Sequence, residues 1–147
     1  MLRILRGKLE FIFNMYNDLL TCLEEENYEY KLKGLRSNTM GQQLHCVGGA
    51  RESYYKSILE DEGFRWTCSL DGEKANDKGE VEAYLREYEK NIIDFMNSSE
   101  KLSDNQASLI LDLLSHEYLH QGQLIRYLYA NHLMIPNTWK EFWHLED

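Results

Sequence analysis

Two histidines four residues apart, His116 and His120, are the residues whose spacing most clearly allows chemistry. On an α-helix this spacing puts both imidazoles on one face, one turn apart, so that both can bind the same metal ion. A third imidazole from another helix, that of His45, would complete three neutral nitrogen ligands. Three protein ligands leave positions open for water or substrate, as in catalytic metal sites. The sequence therefore predicts a reactive divalent metal site formed by His45, His116 and His120.

The segment His116-Glu-Tyr-Leu-His120 also fits the H-E-x-x-H pattern of zinc proteases, in which Glu117 would be the general base. That hypothesis needs a third ligand farther along the chain. The downstream candidates are His132, Glu141, His144 and Glu146. His132 lies about 18 Å from His120 along the same predicted helix, which is too far to share an ion, and no strands or second lobe that could form a protease cleft are predicted. We therefore expect Glu117 to take no part in the chemistry. The remaining alternative is a pair of core histidines that are satisfied by hydrogen bonds without any metal.

Amphipathic periodicity predicts the helices that must position these histidines. Apolar residues recur every three or four positions in four segments, which begin near Leu2 and after Thr39, Asp77 and Ser103. Each of the last three residues is followed, three positions later, by Gln or Glu, the pattern of a capping box at a helix start. A tail with Trp139, Phe142 and Trp143 should fold back onto these helices.

Residues 61–78 show no sustained period and contain many loop-forming residues, so they predict a long connection between the second and third helices. A long connection lets the third helix run in the same direction as the second. No segment has the alternating pattern of a strand. The sequence therefore predicts an all-α four-helix bundle that occupies residues 1–147 as one domain.

Several features of the second helix surround His45. Gly48-Gly49 costs about 1 kcal/mol per glycine relative to alanine within a helix, which predicts close approach by a neighbouring helix or a ligand. Cys46 points about 100° away from His45 on a helix, and we interpret it as a small buried side chain. Arg51 could hold an anionic substrate, although a surface ion pair is the simpler interpretation.

Composition limits the classes of partner. The net charge of −9 argues against nucleic-acid binding, which needs a clustered cationic surface, and against anionic lipid. No apolar run approaches the roughly 20 residues that span a bilayer. Lys8 and Glu10 interrupt any signal-peptide core, so we expect a cytoplasmic protein that acts on a small molecule. The three cysteines form no CxxC pair and predict neither a disulfide framework nor a zinc ribbon.

Three segments together resemble the DinB-like family of bacterial four-helix-bundle metalloproteins: Gln43-Leu-His-Cys-Val-Gly-Gly-Ala-Arg-Glu-Ser-Tyr54, His116-Glu-Tyr-Leu-His-Gln-Gly-Gln-Leu124 and Pro136-Asn-Thr-Trp139. The similarity spans nearly the whole chain. It implies an up-down-down-up bundle with the long crossover between helices two and three. It also implies a divalent metal, often nickel or zinc, bound by residues that match His45, His116 and His120. Homodimers are common in the family.

Relatives in that family include thiol-dependent transferases that use bacillithiol or mycothiol, so the resemblance implies a low-molecular-weight thiol as co-substrate. The leading expectation is an S-transferase that acts on small electrophiles at the three-histidine site. One alternative is a hydrolase that uses metal-bound hydroxide. The other is a non-catalytic, stress-related protein that binds a metal or a partner.

Overall fold

The computed structural model describes residues 1–147 and contains five α-helices and no β-strand. The helices are α1 Leu2–Cys22, α2 Met40–Glu60, α3 Lys78–Ser98, α4 Asp104–Ala130 and α5 Asn137–Trp143. Short 3-10 helices at Glu25–Glu29 and Gly72–Lys74 lie in the connections. The predicted all-α class is confirmed, and α5 is a short helix in the tail. None of the helices combines the length and the apolarity needed to cross a membrane.

Capping side chains fix where the helices begin. Thr39 Oγ1 accepts from the backbone N–H of Gln42, and Gln42 Oε1 accepts from the backbone N–H of Thr39, at 3.0 and 2.8 Å. Ser103 forms the same reciprocal pair at the start of α4. The start of α3 differs from the prediction. The Asp77 side chain accepts from the backbone N–H of Glu80, but the Glu80 side chain does not accept from the backbone N–H of Asp77. One of the two hydrogen bonds of a capping box is therefore sufficient to begin α3.

One cluster of 27 buried apolar residues fills the space between the helices. Helices α1 and α2 each pack against both α3 and α4, so α1 and α2 lie diagonally across the core. The tail folds back as predicted, because Trp139 is fully buried and its Nε1–H donates to the carbonyl of Met15 at 2.7 Å. Its ring also lies edge-on to Tyr16, with 5.9 Å between centroids.

The paired glycines of α2 allow two aromatic rings to contact the helix backbone. A Cβ added at Gly48 would lie 2.5 Å from the ring of Tyr84 on α3, and one added at Gly49 would lie 2.9 Å from the ring of Trp66. The predicted close approach is confirmed. Tyr84 is held there because its hydroxyl donates to the buried carboxylate of Glu52.

Candidate metal centre

Two histidines of α4 and one cysteine of α2 form a group of possible metal ligands. One ligand atom from each of Cys46, His116 and His120 lies within 4.8 Å of the other two. The two imidazole rings are 4.5 Å apart between centroids, and Cys46 Sγ is 4.0 Å from His116 Nε2. Ligand atoms around a tetrahedral zinc ion lie about 3.5 Å apart, so a contraction of about 1 Å would bring all three onto one ion. This Cys/His/His group could hold a metal ion.

The structure places His45 outside this group. Its Nε2 lies 2.8 Å from the carbonyl oxygen of Leu70, in the connection between α2 and α3. A carbonyl only accepts, so the Nε2–H of His45 is the donor in this hydrogen bond. Cys68 Sγ lies 3.6 Å from the same Nε2. The structure thus brings together two of the three predicted ligands, and the role of His45 as a ligand stays a prediction.

The direction in which α2 presents its side chains explains this difference. Neighbouring residues on a helix point about 100° apart, so His45 and Cys46 cannot both face α4. The side of α2 toward α4 carries Gln43 and Cys46, which contact His120 and His116. The side that carries His45 faces α3 and the connection. The interpretation of Cys46 as a small buried side chain is corrected, because it is half-buried beside His116.

The surroundings of the two histidines fit metal ligation. His120 is buried, and its Nδ1–H donates to Gln43 Oε1 at 2.8 Å, which leaves the Nε2 lone pair free. Such a hydrogen bond to the second ring nitrogen is typical of histidines that bind metals. His116 Nδ1 is buried without a hydrogen-bond partner. An unsatisfied buried polar atom costs about 1–3 kcal/mol, and the contact of His116 with Cys46 is made by the other ring nitrogen, Nε2.

Burial keeps the imidazoles neutral. Desolvation lowers the pKa of His116. Desolvation, together with a smaller effect of the neighbouring His116, lowers the pKa of His120 to about 4. Both rings are therefore uncharged near pH 7, the form that binds a metal. Burial, with a smaller contribution from Cys68, raises the pKa of the Cys46 thiol. A metal ion at this position would therefore displace a proton from Cys46.

A buried ion pair lies next to the metal centre. Arg51 Nε and Nη2 donate to the two carboxylate oxygens of Glu117 at 2.7 and 2.9 Å, and both side chains are fully buried. The predicted surface ion pair of Arg51 is therefore wrong, because its partner lies in the core. Both oxygens of Glu117 face the guanidinium, so the carboxylate is not placed to act as the general base of a zinc protease. The sequence separation of 66 residues explains why the pairing was missed.

Glu117→Gln should strongly destabilise the protein, because it leaves the buried Arg51 guanidinium with only the partly exposed carboxylate of Glu89, 3.9 Å from Nη1, as its counter-charge. We expect the free energy of unfolding in urea to fall by about 3–5 kcal/mol. The double variant R51M/E117L should recover most of this loss, since it removes both charges at similar volume. Asp94→Asn, which breaks the exposed pair with Lys90, is the control and should change nothing measurable. A Glu117→Gln protein as stable as the control would contradict this assignment.

The stability of the metal-free protein should depend on His120 between pH 6.5 and 4. In this range the unfolded chain binds a proton at His120, whose ordinary pKa is 6.5, and the folded protein does not. Stability therefore falls as the pH falls, by about 2–3 kcal/mol over the full range. Urea unfolding at several pH values measures this loss. The free energy of unfolding of His120→Asn should depend less steeply on pH than that of the wild type. An identical pH dependence of the two proteins would contradict the lowered pKa of His120.

Comparison of the chain with models of known protein families and with curated proteins gave no match. The resemblance to the DinB-like family therefore rests on the three sequence segments alone. The function has to be inferred from the Cys46, His116 and His120 group itself.

Proposed function

We propose that the protein is a metal-dependent enzyme whose divalent ion is held by Cys46, His116 and His120. The convergence of one thiol and two neutral imidazoles at the contact between α2 and α4 carries this proposal. One sulfur and two imidazole nitrogens form a donor set that suits zinc or nickel. Three protein ligands leave room for a substrate atom at the ion. We assign the third position to Cys46, because His45 would first have to leave the carbonyl of Leu70.

Membership of the DinB-like family, with its up-down-down-up bundle, is part of the same proposal, and the order of residues along contacting helices supports it. Along the α1–α3 and α2–α4 contacts, residue numbers increase on one helix and decrease on the other, so these pairs are antiparallel. Along the α2–α3 contact, residue numbers increase on both helices, so this pair is parallel. The contacting pairs are Arg6 with Asn97, Asn17 with Glu89, Gln43 with His120, Ile58 with Gln106, Glu52 with Tyr84, and Tyr55 with Tyr88.

The proposed reaction is the transfer of a low-molecular-weight thiol to an electrophilic small molecule. When bound, a divalent ion would lower the pKa of a coordinated thiol or water, so that it loses its proton near neutral pH. The chain supplies the setting. Gln43 fixes the orientation and tautomer of His120, and burial keeps His116 and His120 uncharged. The Arg51–Glu117 pair holds α4 against α2, so that Cys46 stays beside His116.

Protein loaded with zinc or nickel should join a low-molecular-weight thiol to a chloroaromatic acceptor, where a C–S bond replaces the C–Cl bond and chloride and the thiol proton are released, and removal of the metal should abolish this turnover. Cys46→Ser and His116→Ala should each weaken metal affinity at least about tenfold and lose activity in proportion. His45→Gln is the matched control at the adjacent position and should still bind the metal. Calorimetry measures the affinity, and chromatography of the thioether product measures the turnover.

The results of the same assay separate the alternatives. Metal-dependent cleavage of an ester substrate without added thiol would assign a hydrolase. Tight metal binding with no turnover for any of several thiols would favour a non-catalytic metal-binding protein. Loss of the metal in His45→Gln, but not in Cys46→Ser, would restore the three-histidine site and contradict the assignment of Cys46.

A further inference from the structure

A polar cavity of about 510 Å³ lies between the segment that precedes α2 and the C-terminal half of α4. Arg36 and Ser37 line it from the first segment, and Arg126 and Tyr127 line it from α4. The two sides are tied together, since the Tyr127 hydroxyl donates to the carbonyl of Asn38 at 2.6 Å. The volume falls within the range of about 300–1,000 Å³ that small-molecule sites occupy. The cavity is therefore large enough and sufficiently fixed to hold a small ligand.

The two segments that form this cavity contain no acidic residue, although the protein as a whole is acidic. All 25 Asp and Glu residues lie outside residues 30–51 and 118–140. Neither Arg36 nor Arg126 takes part in any ion pair of the structure. Two unpaired guanidinium groups with no carboxylate on either segment create a local positive potential. The cavity thus carries positive charge without the acidic residues that prevail elsewhere in the protein.

The cavity and the metal centre share one residue. Gln43 lines the cavity and also accepts the hydrogen bond from His120 Nδ1. Arg126 lies about 9 Å farther along α4 than His120, because each helical residue adds 1.5 Å. A molecule of several atoms with its anionic end between the arginines could therefore extend to the metal centre.

We propose that this cavity binds the carboxylate or phosphate group of an anionic small molecule, which is a substrate of the metal centre. The guanidinium groups of Arg36 and Arg126 offer paired donors that match either oxyanion. The Ser37 hydroxyl and the Gln43 amide line the same space. Anion binding follows from the cavity alone, whereas the role of the anion as a substrate rests on the proposed metal-dependent function.

Calorimetric titration of the metal-free protein with inorganic phosphate and with succinate tests anion binding, and succinamide is the uncharged control ligand. We expect saturable binding of at least one anion and none of succinamide, and the preferred anion identifies the oxyanion as phosphate or carboxylate. R36Q/R126Q should weaken this binding at least about tenfold. Arg3→Gln removes one positive charge, half of the change in the double variant, from an exposed, unpaired arginine of α1 outside the cavity and should not weaken it. Both cavity arginines are exposed, so the double variant should unfold at the same temperature as the wild type.

Absence of saturable binding for both anions would overturn the proposal, and so would equal binding by R36Q/R126Q and Arg3→Gln. R36K/R126K keeps the charge and should retain part of the affinity, which separates charge recognition from a folding defect. Arginine-dependent anion binding in a protein that binds no metal would uphold the cavity and contradict the proposed function. Metal binding without anion binding would uphold the proposed metal centre and contradict the proposed anion site in the cavity.

Discussion

The ion pair between Arg51 and Glu117 is the contact on which the geometry of the bundle depends. Burial of two charges costs several kcal/mol per ion, and only good geometry with further hydrogen bonds offsets that cost. Arg51 meets this requirement with groups from the other three long helices. Besides Glu117 on α4, its Nη1 donates to the carbonyl of Leu85 on α3 at 3.2 Å. Its guanidinium also lies 4.3 Å from the ring centroid of Phe13 on α1.

This pair also fixes the relative positions of the possible metal ligands on α2 and α4. Glu117 is the neighbour of His116 and lies within one turn of His120, and Arg51 lies on α2 little more than one turn beyond Cys46. Any sliding or rotation of α4 against α2 would break the two parallel hydrogen bonds of the ion pair. The same contact therefore keeps the thiol and the imidazoles together. Desolvation lowers the pKa of His116 and keeps this ring neutral, and the charges of Glu117 and Arg51 act in opposite directions on that pKa.

The helices and part of the site could be predicted from local sequence. Capping at Thr39 and Ser103 and the periodic apolar residues depend on neighbours within a few positions, so they identified the helices without knowledge of the fold. The pairing of His116 with His120 was predictable for the same reason. The Gly48-Gly49 pair predicted close approach, because its cost in a helix needs a compensating contact.

The contact of Cys46 with His116 and the burial of Arg51 could not be predicted in this way. The choice between His45 and Cys46 depends on which side of α2 faces α4, and a rotation of about 100° exchanges them. The spacing of apolar residues does not show how α2 is rotated about its own axis, because α2 packs against both α3 and α4 and is buried on both sides. The contact between Arg51 and Glu117 joins residues far apart in the sequence, so no local pattern indicates it. The cavity between Arg36 and Arg126 forms only when the segment before α2 meets α4.

X-ray absorption spectroscopy of the zinc-loaded protein tests the composition of the metal centre most directly. Our assignment predicts one sulfur at about 2.3 Å from the ion and at least two nitrogen neighbours at about 2.0–2.1 Å. Cys46→Ser should lose the sulfur contribution, whereas Cys68→Ser should keep it. A wild-type spectrum that contains only nitrogen and oxygen neighbours, or a sulfur contribution that persists in Cys46→Ser, would contradict the assignment.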